Sequence, residues 1–180
     1  MVISASSKEG VNFIFTNAVR AHLGVNAADC IEVEQLPEAV LIHPPENFLV
    51  VLTVASYVFR LFVVFHLNGD KQTTEYFTNS SASVSLTESF SEIGNLCCGA
   101  MNRELGKYFL HMGMSTPHQL ESKSFQFLGE LRPGYVSQFK IQINKSLLMH
   151  ATLGLCAYAP IDFCVDKTAA PEATGELELF

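Results

Sequence analysis

The stretch Ser85-Leu-Thr-Glu-Ser-Phe-Ser-Glu-Ile-Gly-Asn-Leu-Cys-Cys-Gly-Ala-Met-Asn-Arg-Glu-Leu-Gly-Lys-Tyr-Phe-Leu110 carries the longest helical pattern in the chain. Stepped at about 100° per residue, it gathers Leu86, Phe90, Ile93, Cys97, Ala100 and Met101 on one stripe, with Leu105 at its edge. Glu104 intrudes near the end of that stripe. The opposite side holds Glu88, Glu92, Asn95, Gly99 and Arg103. A polar face usually means only that a helix meets water, but this one is unusual in composition. Asn and Gly are poor helix formers, Gly by ~1 kcal/mol relative to Ala, and Glu88 and Glu92 place like charges four residues apart. Gly99 has a physical use there, because a position without a side chain lets another surface approach Asn95. Gly113 and Pro117 follow, and Pro117 bars any continuation of the helix.

Outward from this helix the pattern is helix, several strands, helix, several strands. A first helix is expected over about Ser7–Leu23, with Val11, Ile14, Phe15, Ala18 and Val19 at helical spacing and Gly24 as its stop. Strands are expected at Ile31–Glu34 and Ala39–Ile42, followed by a turn at Pro44-Pro45-Glu46. The run Phe48–His66 is apolar over nearly the length of a membrane span. Arg60 stands inside it, however, and a mid-span charge costs ~2.5–3.5 kcal/mol. Its Val and Phe content favours two buried strands joined near Ala55-Ser56. Asn68-Gly69-Asp70 reads as the turn closing that hairpin, and Lys71–Ala82 as short helix or irregular chain. Strands are expected again at Ser124–Leu131, Tyr135–Asn144 and Leu147–Tyr158. Short turns between strands imply an antiparallel sheet, so the fold class is α+β: two layers, two main helices on one sheet, in two similar halves. One domain over 1–165 and an acidic tail over 166–180 complete the division.

Composition narrows the function. The chain has 180 residues, 48% apolar and 16% charged, with a net charge of −7. That is a globular chain, and the acidic balance with no basic run argues against a nucleic-acid partner. Five cysteines without paired spacing suggest neither a disulfide framework nor a zinc site and fit reduced thiols in a cytoplasmic protein. The vicinal pair Cys97-Cys98 falls on or beside the apolar stripe and reads as small core residues. The six histidines lack metal-ligand or catalytic spacing, and the N-terminal residues lack the pattern of a signal peptide. No serine stands in G-x-S-x-G and no Gly-rich loop suits a nucleotide phosphate.

The spacing Glu-x-x-Asn carries little by itself: 14 Glu and nine Asn give about one by chance, and two occur. The wider pattern says more. Glu92-Ile-Gly-Asn95-Leu-Cys-Cys-Gly99-Ala, with 21 residues between Asn95 and Pro117, resembles the CheC/CheX/FliY chemotaxis phosphatases. Their pattern is Asp/Ser-x3-Glu-x2-Asn-x21–22-Pro with a glycine soon after the asparagine, and the local match is closest to the single-site CheX type. The order of elements over about Ser7–Tyr158 also resembles that family, although only Glu92–Pro117 is specific. This chain departs at the leading position, where Glu88 stands.

The resemblance implies a phosphatase acting on the aspartyl phosphate of a CheY-like response regulator. Asn95 would hold the attacking water in line, and Glu92 would pair with the regulator's lysine. Glu88, Gly99, Arg103 and Pro117 would line the partner-binding surface. The protein would need no cofactor or metal of its own, since the phosphorylated receiver domain supplies Mg2+. A sheet edge could pair across a homodimer, and no membrane contact is expected. The alternative is a non-catalytic interaction module in a bacterial signalling or motility complex. Glu9-x2-Asn12 on the first helix repeats the centre of the pattern, but its leading position is Ala5 and the glycine position is Thr16, so one site is expected.

Overall fold

A computed structural model describes residues 2–37, 44–79, 81 and 83–167. Three helices, α1 (Ala5–His22), α2 (Lys71–Phe77) and α3 (Leu86–Leu105), accompany seven strands. The strands are β1 (Ile31–Gln35), β2 (Phe48–Ala55), β3 (Phe59–Leu67), β4 (Gly113–Met114), β5 (His118–Glu121), β6 (Tyr135–Ile143) and β7 (Leu147–Ala157), and a 3-10 segment spans Ser122–Leu131. They form one sheet in the order β1-β6-β7-β3-β2-β4, with β5 also pairing β2 and every ladder antiparallel. The expected α+β class with an antiparallel sheet is what the structure has. The expected strand at Ala39–Ile42 and the tail beyond Lys167 lie outside the described residues.

Alternation along each strand divides the sheet into two faces. On β3, Phe59, Leu61, Val63, Phe65 and Leu67 point to the helices, and all are buried. Phe65 meets Phe15 of α1 at 6.1 Å and Phe90 of α3 at 5.3 Å between ring centroids. Burying a ring such as Phe90 completely contributes roughly 1.5–3 kcal/mol. The other face carries a second, smaller cluster in which Phe125 and Leu128 of the 3-10 segment cover Leu49 of β2 and Val64 of β3. Covering both faces explains why Phe48–His66 is so continuously apolar. No helix of the described residues is long and apolar enough to cross a membrane.

Four local expectations are corrected. Helix α3 ends at Leu105, with Gly106 as C-cap, rather than near Leu110. Tyr108-Phe109-Leu110 extends the apolar pattern by sequence only, since Phe109 packs edge-on against Phe59 at 4.9 Å from outside the helix. Ser124–Leu131 is 3-10 helix and not strand, because its buried pair Phe125 and Leu128 are spaced three apart while Phe127 is 60% exposed. The β2–β3 hairpin turns at Ser56–Val58, next to the junction expected near Ala55-Ser56, with Ser56 N–H donating to the Phe59 carbonyl. Asn68-Gly69-Asp70 instead opens α2, with the Asp70 carboxylate accepting from Thr73 N–H at 2.9 Å. Pro44-Pro45-Glu46 leads into β2 and buries Glu46 rather than exposing a turn.

Residues beyond β7 run back over α1 as a strap. Ile161 pairs with Ile3 in an isolated parallel bridge, and Phe163 N–H donates to Ser7 Oγ at 2.8 Å. The Phe163 ring lies against Gly10, where an added Cβ would meet it at 2.9 Å, and contacts Tyr108 and Phe109. Gly10 is therefore the position that admits the strap.

Candidate functional site

Helix α3 is fixed at its start by a capping box. Ser85 Oγ accepts from Glu88 N–H at 3.2 Å, and the Glu88 carboxylate accepts from Ser85 N–H at 3.1 Å. The Ser85 hydroxyl donates to the same carboxylate at 3.0 Å. These bonds, the backbone one first, hold the Glu88 carboxyl below its ordinary range. Glu88 thus already has a structural task at the position where the family pattern has Asp or Ser.

The buried side of α3 comprises Leu86, Phe90, Gly94, Cys97, Cys98, Met101 and Leu105. The apolar stripe expected from sequence is present, shifted toward Gly94 and Cys98 and away from Ile93 and Ala100, which are half-buried. Gly94 was not singled out by its sequence context, yet it sets how closely the helix lies on β2. A Cβ there would come within 3.2 Å of Leu52 Cδ1. Its signal was available: a glycine on the core side of a helix marks close approach. Both thiols are fully buried. Burial pushes Cys98 up to about 12 and, with the neighbouring Cys98 adding to it, raises Cys97 further. They are inert core groups.

The exposed side presents Glu92, with Asn95 half-exposed one turn further on and Gly99 and Arg103 beyond. The Glu92 and Asn95 side chains make no hydrogen bond or ion pair among the described residues. At Gly99 an added Cβ would touch nothing nearer than Arg103 Nη1 at 3.7 Å, so the helix backbone is open there. Arg103 also helps depress His22 of α1, after the larger effect of burial.

Pro117 stands across from this helix. Register places it beside β2 on the helix side of the sheet, where Gln119 pairs with Val50. Together Pro117, Gln119, Val84, Glu88, Ser91 and Glu92 border an open groove of about 700 Å³ between α3 and β5. Glu88, Glu92 and Pro117 are thereby brought together; Asn95, Gly99 and Arg103 lie further along the helix, outside the groove. Among the described residues no three His, Cys, Asp or Glu side chains converge as a metal site.

The second Glu-x-x-Asn pair has a different setting. Asn12 is 8% exposed, its Nδ2 donates to the Tyr135 hydroxyl at 2.7 Å, and its Oδ1 accepts from Ser137 Oγ at 2.8 Å. Glu9 is exposed and paired with Lys167 at 2.9 Å. The Asn12 amide is therefore engaged in the fold and is not presented to a partner.

Comparison of this architecture with solved structures gives a consistent result. The chain shares the fold of CheX in complex with CheY, BeF3 and Mg2+ from Borrelia burgdorferi, with TM-score 0.56, 12% identity, and coverage of 82% of this chain and 96% of that one. Chemotaxis protein CheX from Vibrio vulnificus matches with TM-score 0.54 at 11% identity over 80% of this chain and 99% of the other. FliY from Thermotoga maritima matches with TM-score 0.54 at 12% identity over 87% and 92%. No protein-family profile and no curated sequence relative matches. The fold is that of the CheC-like, CheX and FliY proteins.

Proposed function

We propose that this protein is a phosphatase for the aspartyl phosphate of a CheY-like receiver domain, with Asn95 and Glu92 as its working pair. The observation that carries the proposal is their availability. Both side chains project from the exposed face of one rigid, capped helix, while the equivalent amide on α1 is fully engaged in the fold. The neighbour solved with CheY, BeF3 and Mg2+ supports the choice of partner class.

The division of labour follows from the functional groups. An amide is no base at neutral pH, but it can donate to a phosphoryl oxygen and accept from a water at once. Asn95 would hold that water in line with the phosphorus. Attack forms the new P–O bond as the bond to the aspartyl oxygen breaks, releasing the carboxylate and inorganic phosphate; the water proton ends on phosphate. A loose transition state needs alignment more than deprotonation, and alignment alone removes a large entropic barrier. Glu92 would accept from the receiver's lysine and fix the docking angle. The receiver contributes the phosphoryl group and its Mg2+, so the helix supplies position and no metal.

The engagement of Glu88 in the capping box favours one second reading, a module that binds receivers without hydrolysing their phosphate, since the leading position then offers little to a partner. Timing the decay of phosphorylated receiver domains separates the two. Faster decay with the wild-type chain, abolished in a Glu92→Ala/Asn95→Ala double variant, is the expected result. Binding with unchanged decay selects the module.

A further inference from the structure

We propose that Leu96 is the apolar anchor that captures the receiver domain, an inference that rests on the docking surface described above. Leu96 is the single large apolar side chain exposed on α3, at 56%. On a helix it lies about 40° around the axis from Glu92, on the side away from Asn95, so a partner that extends past Glu92 reaches it. Gly99 follows one turn on and is open, so a partner surface can descend to the backbone there and contact Leu96 from the side.

Energetics favour such an anchor. An exposed Glu–Lys pair contributes at most about fivefold to an equilibrium constant, so Glu92 alone holds a partner poorly. Interfaces instead concentrate affinity in a few central, well-packed side chains ringed by contacts that exclude water. Leu96, with Glu92 preceding it and Asn95 and Arg103 nearby, has that arrangement. Excluding water around it also strengthens the adjacent Glu92 ion pair. A lone exposed leucine is ordinary on a protein surface; its place at the flank of the acidic and amide stripe, one turn after Glu92, is what distinguishes this one.

The test titrates the full chain with a panel of CheY-like receiver domains loaded with beryllofluoride and Mg2+, and separately follows dephosphorylation as receiver concentration rises. Leu96→Ala is expected to weaken Kd and raise KM about tenfold with kcat unchanged, while Leu96→Met stays within about threefold. Asn95→Ala should do the reverse, losing kcat and keeping Kd. Wild-type binding by Leu96→Ala, or a loss confined to kcat, overturns the anchor and leaves the phosphatase reading standing. If the wild-type chain binds without accelerating decay, hydrolysis falls and the Kd ratio alone judges the anchor. If it binds no receiver, both fall.

Discussion

Helices α1 and α3 lie on the same face of one sheet, and each carries Glu-x-x-Asn, yet the two asparagines have opposite fates. Asn12 points into the molecule, where β6 supplies a hydroxyl for each end of its amide. Asn95 points away from the sheet and finds no partner among the described residues. Glu9 is paired with the strap through Lys167, whereas Glu92 borders an open groove. The lesson is that a motif's chemistry belongs to the face on which it falls. An amide satisfied by the fold stabilises it, and an amide left free can act on something else.

The sharpest way to break this contrast is to remove each amide in turn. Asn95→Ala should lower receiver dephosphorylation at least about 100-fold in kcat, the loss of a positioned nucleophile, with the thermal midpoint unchanged. Asn12→Ala should do the opposite. It removes a buried amide that bonds the Tyr135 and Ser137 hydroxyls, which costs about 1–3 kcal/mol in a denaturant titration while turnover is retained. Equal stability losses in both variants would erase the distinction.

A control must lower stability without touching either helix, and His66 on the opposite face of the sheet supplies it. It is buried and bonded to Thr152 Oγ1 at 3.0 Å, and burial, helped by the nearby His150, depresses it to about 3. The folded chain therefore binds this proton less readily than the unfolded chain, whose histidine titrates near 6.5. Its contribution is constant above that value and is lost as pH falls from 6.5 toward 3, about 2 kcal/mol by pH 5. Urea midpoints measured between pH 7 and 5 should show that slope, and His66→Gln should flatten it. The kcat ratio of Asn95→Ala to wild type should not change over the range in which both remain folded.

Gly99 offers a smaller and more pointed test. Because nothing crowds its Cβ position, Gly99→Ala should stabilise the chain by up to ~1 kcal/mol through helix propensity alone. The same methyl should weaken receiver binding, so stability and affinity move in opposite directions. The least effect is expected at Glu9→Gln, which removes only an exposed ion pair with Lys167 and should shift stability by less than about 1 kcal/mol.

Much of this arrangement was legible in the sequence because periodicity reports burial. Helices α1 and α3 and the strands β2, β3, β6 and β7 follow it closely, since each presents an apolar face to one core. The failures share a cause. Phe125 and Phe127 alternate as in a strand, but the backbone is a 3-10 helix and only Phe125 is buried. Strand β5 is an edge whose four residues are all exposed, so it has no apolar alternation to read. At the candidate site, Glu92, Asn95 and Pro117 came from the resemblance of a wider pattern, since the Glu-x-x-Asn spacing alone is near chance. The structural role of Glu88 needed the geometry of its cap, and that of Asn12 needed Tyr135 and Ser137, more than a hundred residues away in sequence.

The strap from Ile161 to Lys167 gives the molecule a particular order of assembly. Ser7 bonds Phe163, 156 positions later, so this contact closes one of the longest loops in the described structure. During synthesis α1 is made first and must wait, with Gly10 and its flank uncovered, until the last described residues emerge. Domains fold as units as they are synthesised, and here the unit stays unfinished until the strap has been made. A chain that ended after β7 would lack this cover and leave the Gly10 flank of α1 exposed.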